Sequence, residues 1–252
     1  MHVQRTLLAS AVLTAFAPFS FAQTTTTEPV ATVIVTATPF NAAEGDQILS
    51  PAKVLARHEL RSKLGSSLGE TLSNELGVSA SAFGAGASRP IIRGLEGNRV
   101  KVLENGMSVS DLSGLSNDHA VTGEPATARQ IEILRGPAAL LYGSGAIGGL
   151  INVVNERIPP EHHDKPSGVI ESRYSTVDHG RAVSFSGDAS AGDVALHVDG
   201  SGRDAGDYHV PGSPDGDTLP NSALRPHTPG AGASYIGERG YLGASVSSLK
   251  KK

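Results

Sequence analysis

Apolar and polar residues follow two different rhythms along the chain. In the C-terminal third they alternate: across Asp193–Asp199, Val194, Leu196 and Val198 fall on one face of an extended strand and Asp193, His197 and Asp199 on the other. Arg181–Ala189 repeats the pattern with Val183 and Phe185, and Gly168–Val177, Ala231–Gly237 and Tyr241–Val246 bring the predicted strands to about five. Such alternation suits a membrane strand, apolar toward lipid and polar toward a lumen, and equally a soluble sandwich. Between Ser50 and Arg157 the runs are shorter and mixed. Val54–Leu55 predicts a strand end, and His58–Leu64 and Ser66–Leu76 predict helical turns, the second opening on Ser66 and Glu70 as capping residues and stopping at Gly77. Strands are predicted at Val78–Ala82, Pro90–Arg93 and Arg99–Glu104, the last folding back through Asn105–Gly106 into Met107–Val109. Ile131–Arg135 and Leu150–Val154 are two further strands, separated by a one-turn helical run at Pro137–Tyr142 and a cluster of glycines.

The N-terminal segment is organised differently. Arg5, the apolar run Thr6–Phe19 and the small residues of Ser20-Phe21-Ala22 form an export signal, with cleavage expected after Ala22. The apolar run is too short to cross ~30 Å of hydrocarbon as a helix. Gln23–Pro29, with four consecutive threonines, has no means of burying apolar surface and begins a flexible arm over residues 23–49. Inside that arm Ala31–Ala37 is β-branched and bounded by Pro29 and Pro39, which predicts a strand with no sheet of its own. It is either an edge strand or a strand offered to another protein's sheet.

Composition narrows the chemistry. With 38% hydrophobic and 18% charged residues the chain is neither disordered nor highly charged. The lack of cysteine excludes disulfides, thiolate metal sites and cysteine catalysis. The net charge of −4 becomes −5 once Arg5 leaves with the signal, which argues against nucleic acid as a partner. From Arg89 to Arg157 seven basic residues face seven acidic ones, a balance that fits a solvated surface or a domain seated in a polar lumen.

The stretch Arg129–Asn155, RQIEILRGPAALLYGSGAIGGLINVVN, concentrates the strongest signal. A strand breaks at Gly136-Pro137, and Gly143, Gly145, Gly148 and Gly149 precede the next strand, implying backbones held too close for side chains. Together with RPIIRGLEGNRVKVLENG upstream, this stretch resembles the plug domain of TonB-dependent outer-membrane receptors. The resemblance implies an α+β plug domain over residues 50–158, a small mixed sheet with short helices, whose motif residues are Arg93, Gly94, Arg135, Gly136, Pro137, Gly143, Gly145, Gly148 and Gly149. Residues 159–252 would be a linker and the first few strands of an incomplete antiparallel transmembrane β-barrel. Barrels of this family close with about 22 strands. On that comparison the chain is expected to be a truncated receptor, unable to transport alone. The run at 31–37 would be the TonB box, with Thr32, Val33, Ile34, Val35, Thr36 and Ala37 pairing with TonB of the inner-membrane complex. The implied location is the outer membrane, with the barrel-assembly machinery as a further partner if the barrel is complete. No catalysis and no resident cofactor are implied.

The ligand is read from one pair. The runs SRPIIRGLEGNRVKVLENG, NDHAVTGEPATARQIEILRGP and YIGERGYLGASVS resemble the zinc- and copper-handling branch of the family. In zinc receptors of that branch an adjacent Asp-His pair in a plug loop binds metal. Asp118 and His119 match it, as ligands for transported Zn²⁺ or copper, and the remaining donors would come from barrel beyond Lys252. The competing account has Asp118 capping a turn and His119 packing nearby, and a siderophore or haem receptor is the nearest alternative. Glu161-His162-His163-Asp164 reads as a solvated turn, and His58, His179, His197 and His227 stand alone. Two enzyme motifs fail on context. Gly143–Gly148 satisfies G-x-G-x-x-G but is followed by a strand, and Gly65–Gly69 satisfies the esterase pattern G-x-S-x-G with a helix before it instead of a strand, which leaves a periplasmic esterase as the remote alternative to a receptor.

Overall fold

The computed structural model describes residues 34–35, 43–44, 52–84, 86–109, 121, 123–136, 139, 142–212 and 217–250. In the arm, β1 (Ile34–Val35) pairs antiparallel with β2 (Ala43–Glu44), so the β-branched run predicted to lack a sheet has a two-residue partner of its own. Two extended β-branched residues need only one short neighbouring segment to satisfy a pair of backbone groups.

The α+β part follows. Its elements are β3 (Ala52–Ala56), α1 (Arg57–Lys63), α2 (Leu68–Leu72), β4 (Val78–Ala82), β5 (Ser88–Ile92), β6 (Val100–Glu104), β7 (Met107–Ser108), β8 (Gln130–Leu134) and β9 (Gly149–Val154). The mixed sheet has the order β3-β8-β9-β6-β7, parallel only between β6 and β9. Every residue of the central strand β9 is buried, as its apolar sequence, interrupted only by Asn152, suits a strand covered on both faces. On one face Leu55, Ile131, Ile133, Ile151 and Val153 pack against Leu60 of α1, Leu68 and Leu72 of α2 and Ile92 of the β4–β5 hairpin. On the other, Leu103, Leu134 and Leu150 meet Ala139 and Ala146. Two polar residues sit inside this core. Glu132 and Asn152, directly opposite each other in β8 and β9, are fully buried, and the Asn152 amide donates to Glu132 at 3.0 Å while its oxygen accepts from the Gly106 N–H at 2.8 Å.

The second predicted helix is shorter than its pattern. It starts at Leu68 because the N-cap is Ser67, not Ser66: the Ser67 hydroxyl accepts from the Glu70 N–H at 3.1 Å, and the Glu70 carboxylate reaches back to the Ser66 N–H at 2.7 Å. Ser67, the serine of the G-x-S-x-G match, is thus spent on a cap and buried. The chain leaves the helix at Ser73, and Gly77 turns into β4 at φ +70°. The second glycine motif also resolves as structure. A Cβ on Gly145 would stand 2.9 Å from the Asn98 carbonyl and one on Gly148 2.9 Å from that of Arg99, and β9 follows where a dinucleotide fold needs a helix.

The third part is a single antiparallel sheet of order β10-β11-β12-β15-β16, formed by β10 (Ser167–Tyr174), β11 (Arg181–Ala191), β12 (Val194–Asp204), β15 (His227–Gly237) and β16 (Gly240–Ser247). Its exposure is the reverse of a soluble protein's. Leu196 is 44% and Ile170 81% exposed, while His197 and Asp199 are 2% and 1% exposed. The cross-strand register makes this a whole face: Ile170 lies beside Phe185, Val198 beside Ala231, and Tyr235 between Val194 and Leu242, all outward. An eleven-residue strand such as β12, at ~3.3 Å per residue and a tilt near 40°, rises roughly 28 Å, the height of an outer-membrane apolar band. The alternation left open between soluble sandwich and membrane strand resolves to the membrane form. Its turns agree. Two-residue turns join β11 to β12 and β15 to β16 at one end, while the other end carries the longer connections, including the small hairpin of β13 (Tyr208–His209) and β14 (Thr218–Leu219). Outer-membrane strands have short turns on the periplasmic side and long loops outside.

Candidate functional site at the inner face of the sheet

The inner face of the sheet carries the charge its outer face lacks, and the α+β part lies against it. Arg157, three residues beyond β9, places Nε 2.6 Å and a terminal nitrogen 3.0 Å from the two carboxylate oxygens of Asp199 on β12. Its other terminal nitrogen is 2.7 Å from Glu104 at the end of β6. Burial alone would push this guanidinium down, but the hydrogen bonds and charges of Asp199 and Glu104 outweigh it and hold Arg157 above the ordinary arginine range. Arg129, immediately before β8, pairs with Glu156 and reaches Asp188 on β11 at 2.9 Å. His197 completes the cluster: Nδ1 is 2.7 Å from Asp188 and Nε2 3.5 Å from Asp199. His163, in the turn before β10, lies 3.7 Å from Asp188, and its backbone N–H donates to the Ser190 hydroxyl at 2.9 Å.

Nearer the long-loop end the contacts are more open. Arg61 of α1 pairs with Glu171 of β10 at 2.5 Å, and Arg173 donates to the carbonyls of Leu64 and Arg61 at 2.6 and 2.9 Å, closing the C-terminus of α1. Beside them Arg57 is pushed below its usual range by burial, with Glu171 opposing. A cleft of about 430 Å³ opens here between helix and strands, lined by Arg61, Ser66, Glu124, Glu171, Arg173 and Arg203. A larger one, about 880 Å³, lies between the tip of the β4–β5 hairpin and the β13–β14 hairpin, with Phe83, Tyr208 and Asn221 on its walls. The arrangement is a polar contact between a folded domain and the inner face of a membrane sheet.

Of the predicted site residues, Ile34 and Val35 form β1, whereas Thr32, Val33, Thr36 and Ala37 lie outside the described residues. So do Asp118 and His119, and among the described residues no group of three or more His, Asp or Glu is placed to hold a metal. Arg93, with φ +51°, and Gly94 turn out of β5, while Arg135 and Gly136 end β8, and the structure brings the two arginines together. Burial first, and the charge of Arg93 second, hold Arg135 below its ordinary range. Pro137 is outside the described residues; Gly143, Gly145, Gly148 and Gly149 follow one another into β9. Sequence reasoning missed the Arg129–Asp188–His197–Asp199–Arg157 cluster. His197, read there as solitary, is held between two carboxylates, and His179 lies 3.4 Å from the Tyr174 hydroxyl. The alternation that put His197 and Asp199 on one face was the available signal.

Comparison with known proteins gives a consistent picture. Residues 46–150 match the TonB-dependent Receptor Plug Domain. The vitamin B12 transporter BtuB of Vibrio vulnificus (strain CMCP6) is 32% identical over 155 residues, covering 60% of this chain and 25% of that protein. Among solved structures, the siderophore receptor PirA from Acinetobacter baumannii superposes with a TM-score of 0.65 at 17% identity, over 82% of this chain and 32% of PirA. The copper transporter OprC gives 0.62 at 19% identity, over 79% of this chain and 30% of OprC. The chain thus spans about a quarter to a third of the length of these proteins.

Proposed function

We propose that this chain, whose residues 46–150 match the TonB-dependent receptor plug domain and are followed by a five-stranded antiparallel sheet, is part of a receptor for active uptake of a scarce nutrient, most directly a metal ion such as zinc or copper. The observation that carries the receptor reading is the inverted sheet: apolar residues point out, while the buried Asp199 points in to pair with Arg157 and the buried His197 lies between Asp188 and Asp199. Ligand would bind at the plug's outer face. Force on residues 31–37 from TonB would then rearrange the plug, with main-chain pairing supplying affinity and the side chains few demands. The barrel-assembly machinery would insert the barrel.

The metal reading rests on Asp118 and His119, an imidazole and a carboxylate in a chain without a thiol to compete. The siderophore reading has its own support in the match to PirA, and the B12 transporter adds a third cargo. Growth under chelator-imposed zinc or copper limitation separates them, in cells whose only receptor of this kind carries these residues within a full-length barrel. Metal uptake should fall by well over tenfold in His119→Ala and in Asp118→Ala, more than the roughly tenfold lower bound for outer-sphere changes to metal sites. Unchanged metal uptake in both variants, or rescue by a ferric siderophore alone, would move the cargo to the second reading.

A further inference from the structure

Among the described residues, the outer face of the membrane sheet carries no charge between its two rims, and the rims differ. At the short-turn end Asp193, Glu238 and Arg239 are exposed, two acids to one base. At the long-loop end the balance reverses. Arg181 of β11 stands directly opposite Asp204 of β12 on one side and Tyr174 of β10 on the other. All three are exposed and share the face of Val183 and Phe185, since the neighbouring Ala182 and Arg203 turn to the inner cleft. Arg225 joins them from the loop before β15, with its Nε 2.7 Å from Asp204 and its side chain 64% exposed. His227 and Lys250, opposite each other in a single bridge, add an imidazole and an ammonium further along the rim. Three cations, Arg181, Arg225 and Lys250, thus stand against one carboxylate at the edge of an apolar band.

Below that rank of charges the surface is shaped as well as apolar. The rings of Phe185 and His227 lie across β12 where glycines leave room: a Cβ on Gly200 would stand 2.7 Å from Phe185 Cε1, and one on Gly202 would stand 3.3 Å from His227 Nδ1. Gly202 has Val183 beside it on β11 and His227 on β15, so a shallow floor of backbone runs between side chains just beneath the cations. Tyr174, 59% exposed and with its hydroxyl 3.4 Å from His179, closes one side. A molecule that fits this edge has three chemical parts in a fixed order. An anion meets the arginines, whose planar forks suit phosphate. A polar ring lies against Tyr174 and His227, which present an apolar body with a polar tip. Hydrocarbon follows along Val183, Phe185 and Ile170, all outward and exposed.

We propose that Arg181 and Arg225, with Tyr174 and His227 beneath them, form a binding site on the outer wall for a phosphorylated glycolipid of the leaflet at the long-loop end, held by phosphate at the two arginines and by its chains along the apolar face. Asp204 is a positioning residue: it bonds Arg225 at Nε, which leaves the two terminal nitrogens of that guanidinium for the phosphate. The site lies on the opposite face of the sheet from the plug and borrows from the receptor reading only the membrane orientation of the strands. No cargo and no TonB enter its test, so a failed uptake assay and a failed lipid site are separate outcomes.

The test is native mass spectrometry of the full chain released from detergent micelles that contain diphosphorylated lipid A. One lipid should remain bound, at a half-saturating concentration about tenfold or more below that of the same lipid stripped of its phosphates. Arg181→Gln and Arg225→Gln should each weaken retention by about fivefold, the effect of one basic residue at an anionic lipid surface, whereas Arg239→Gln at the other rim should leave it unchanged. Both arginines are exposed, so if one variant does not fold the other carries the test. Retention indifferent to the lipid phosphates, or to the arginine variants, would overturn the site. Equal retention of phosphatidylglycerol, an anion without the sugar, would overturn the glycolipid assignment, and so would displacement of lipid A by inorganic phosphate at the same concentration.

Discussion

Asp199 shows how much one residue can settle. It is buried on a strand whose neighbours face lipid, and its two oxygens are taken by one guanidinium. Asp199→Ala leaves Arg157 charged, buried and held only by Glu104, and should destabilise the plug–wall contact by about 3–5 kcal/mol, read from thermal unfolding in micelles. A loss under about 1 kcal/mol would place the pair in the class of exposed ion pairs. Asp178, in the turn between β10 and β11, gives a pH prediction. Burial raises its carboxyl, but hydrogen bonds from Ser175, Arg203 and the Gly180 N–H outweigh burial and hold it below the usual range. A depressed folded-state value means its stabilisation is fully present above the unfolded carboxylate range and is lost as pH falls through the folded value. Asp178→Asn should therefore cost stability at pH 7, and the difference from wild type should shrink below about pH 4. Neither residue announces itself in sequence, because an aspartate that binds arginine across 42 residues looks like any aspartate until the fold brings the two together.

Elements were legible to the extent that their signal is local. The period-two pattern located all five sheet strands, since alternation survives whatever the strand pairs with. It could not say which face meets water, because lipid outside and a core inside demand the same pattern. The β13–β14 hairpin was missed, as two-residue strands have too few positions to show a period. The cap of α2 was placed one residue early, because Ser66 and Ser67 are equally good N-caps and Glu70 serves both. The face assignment yields a prediction: Val198→Arg, near mid-strand on the outer face, should destabilise insertion by roughly 2–4 kcal/mol, whereas a soluble outer face would accept it within about 0.5 kcal/mol. In the plug, Ile151→Ala on the central strand should cost about 2–5 kcal/mol in unfolding, the range for a fully buried aliphatic side chain.

At the scale of the whole molecule, three parts with different chemistry follow one another: an arm whose β1 pairs with β2, a plug with a core on both faces of its sheet, and a membrane sheet turned inside out. The plug glycines and arginines carried the family likeness because close backbone approaches leave a mark in sequence, while cargo specificity depends on loops whose residues bear none. The central claim is that the arm couples this plug to TonB, and the absence of native cysteine allows a direct measurement. A single cysteine at Val35 of the full chain, in micelles, is mixed with the TonB C-terminal domain carrying cysteines along its exposed strand edge, and disulfide formation is followed with time. The account predicts cross-linking confined to a register ladder of alternate TonB positions, abolished by Ile34→Pro, which removes a backbone donor and leaves the plug intact. No cross-link above that of a cysteine placed at the wall residue Ala244, or a cross-link indifferent to Ile34→Pro, would contradict it.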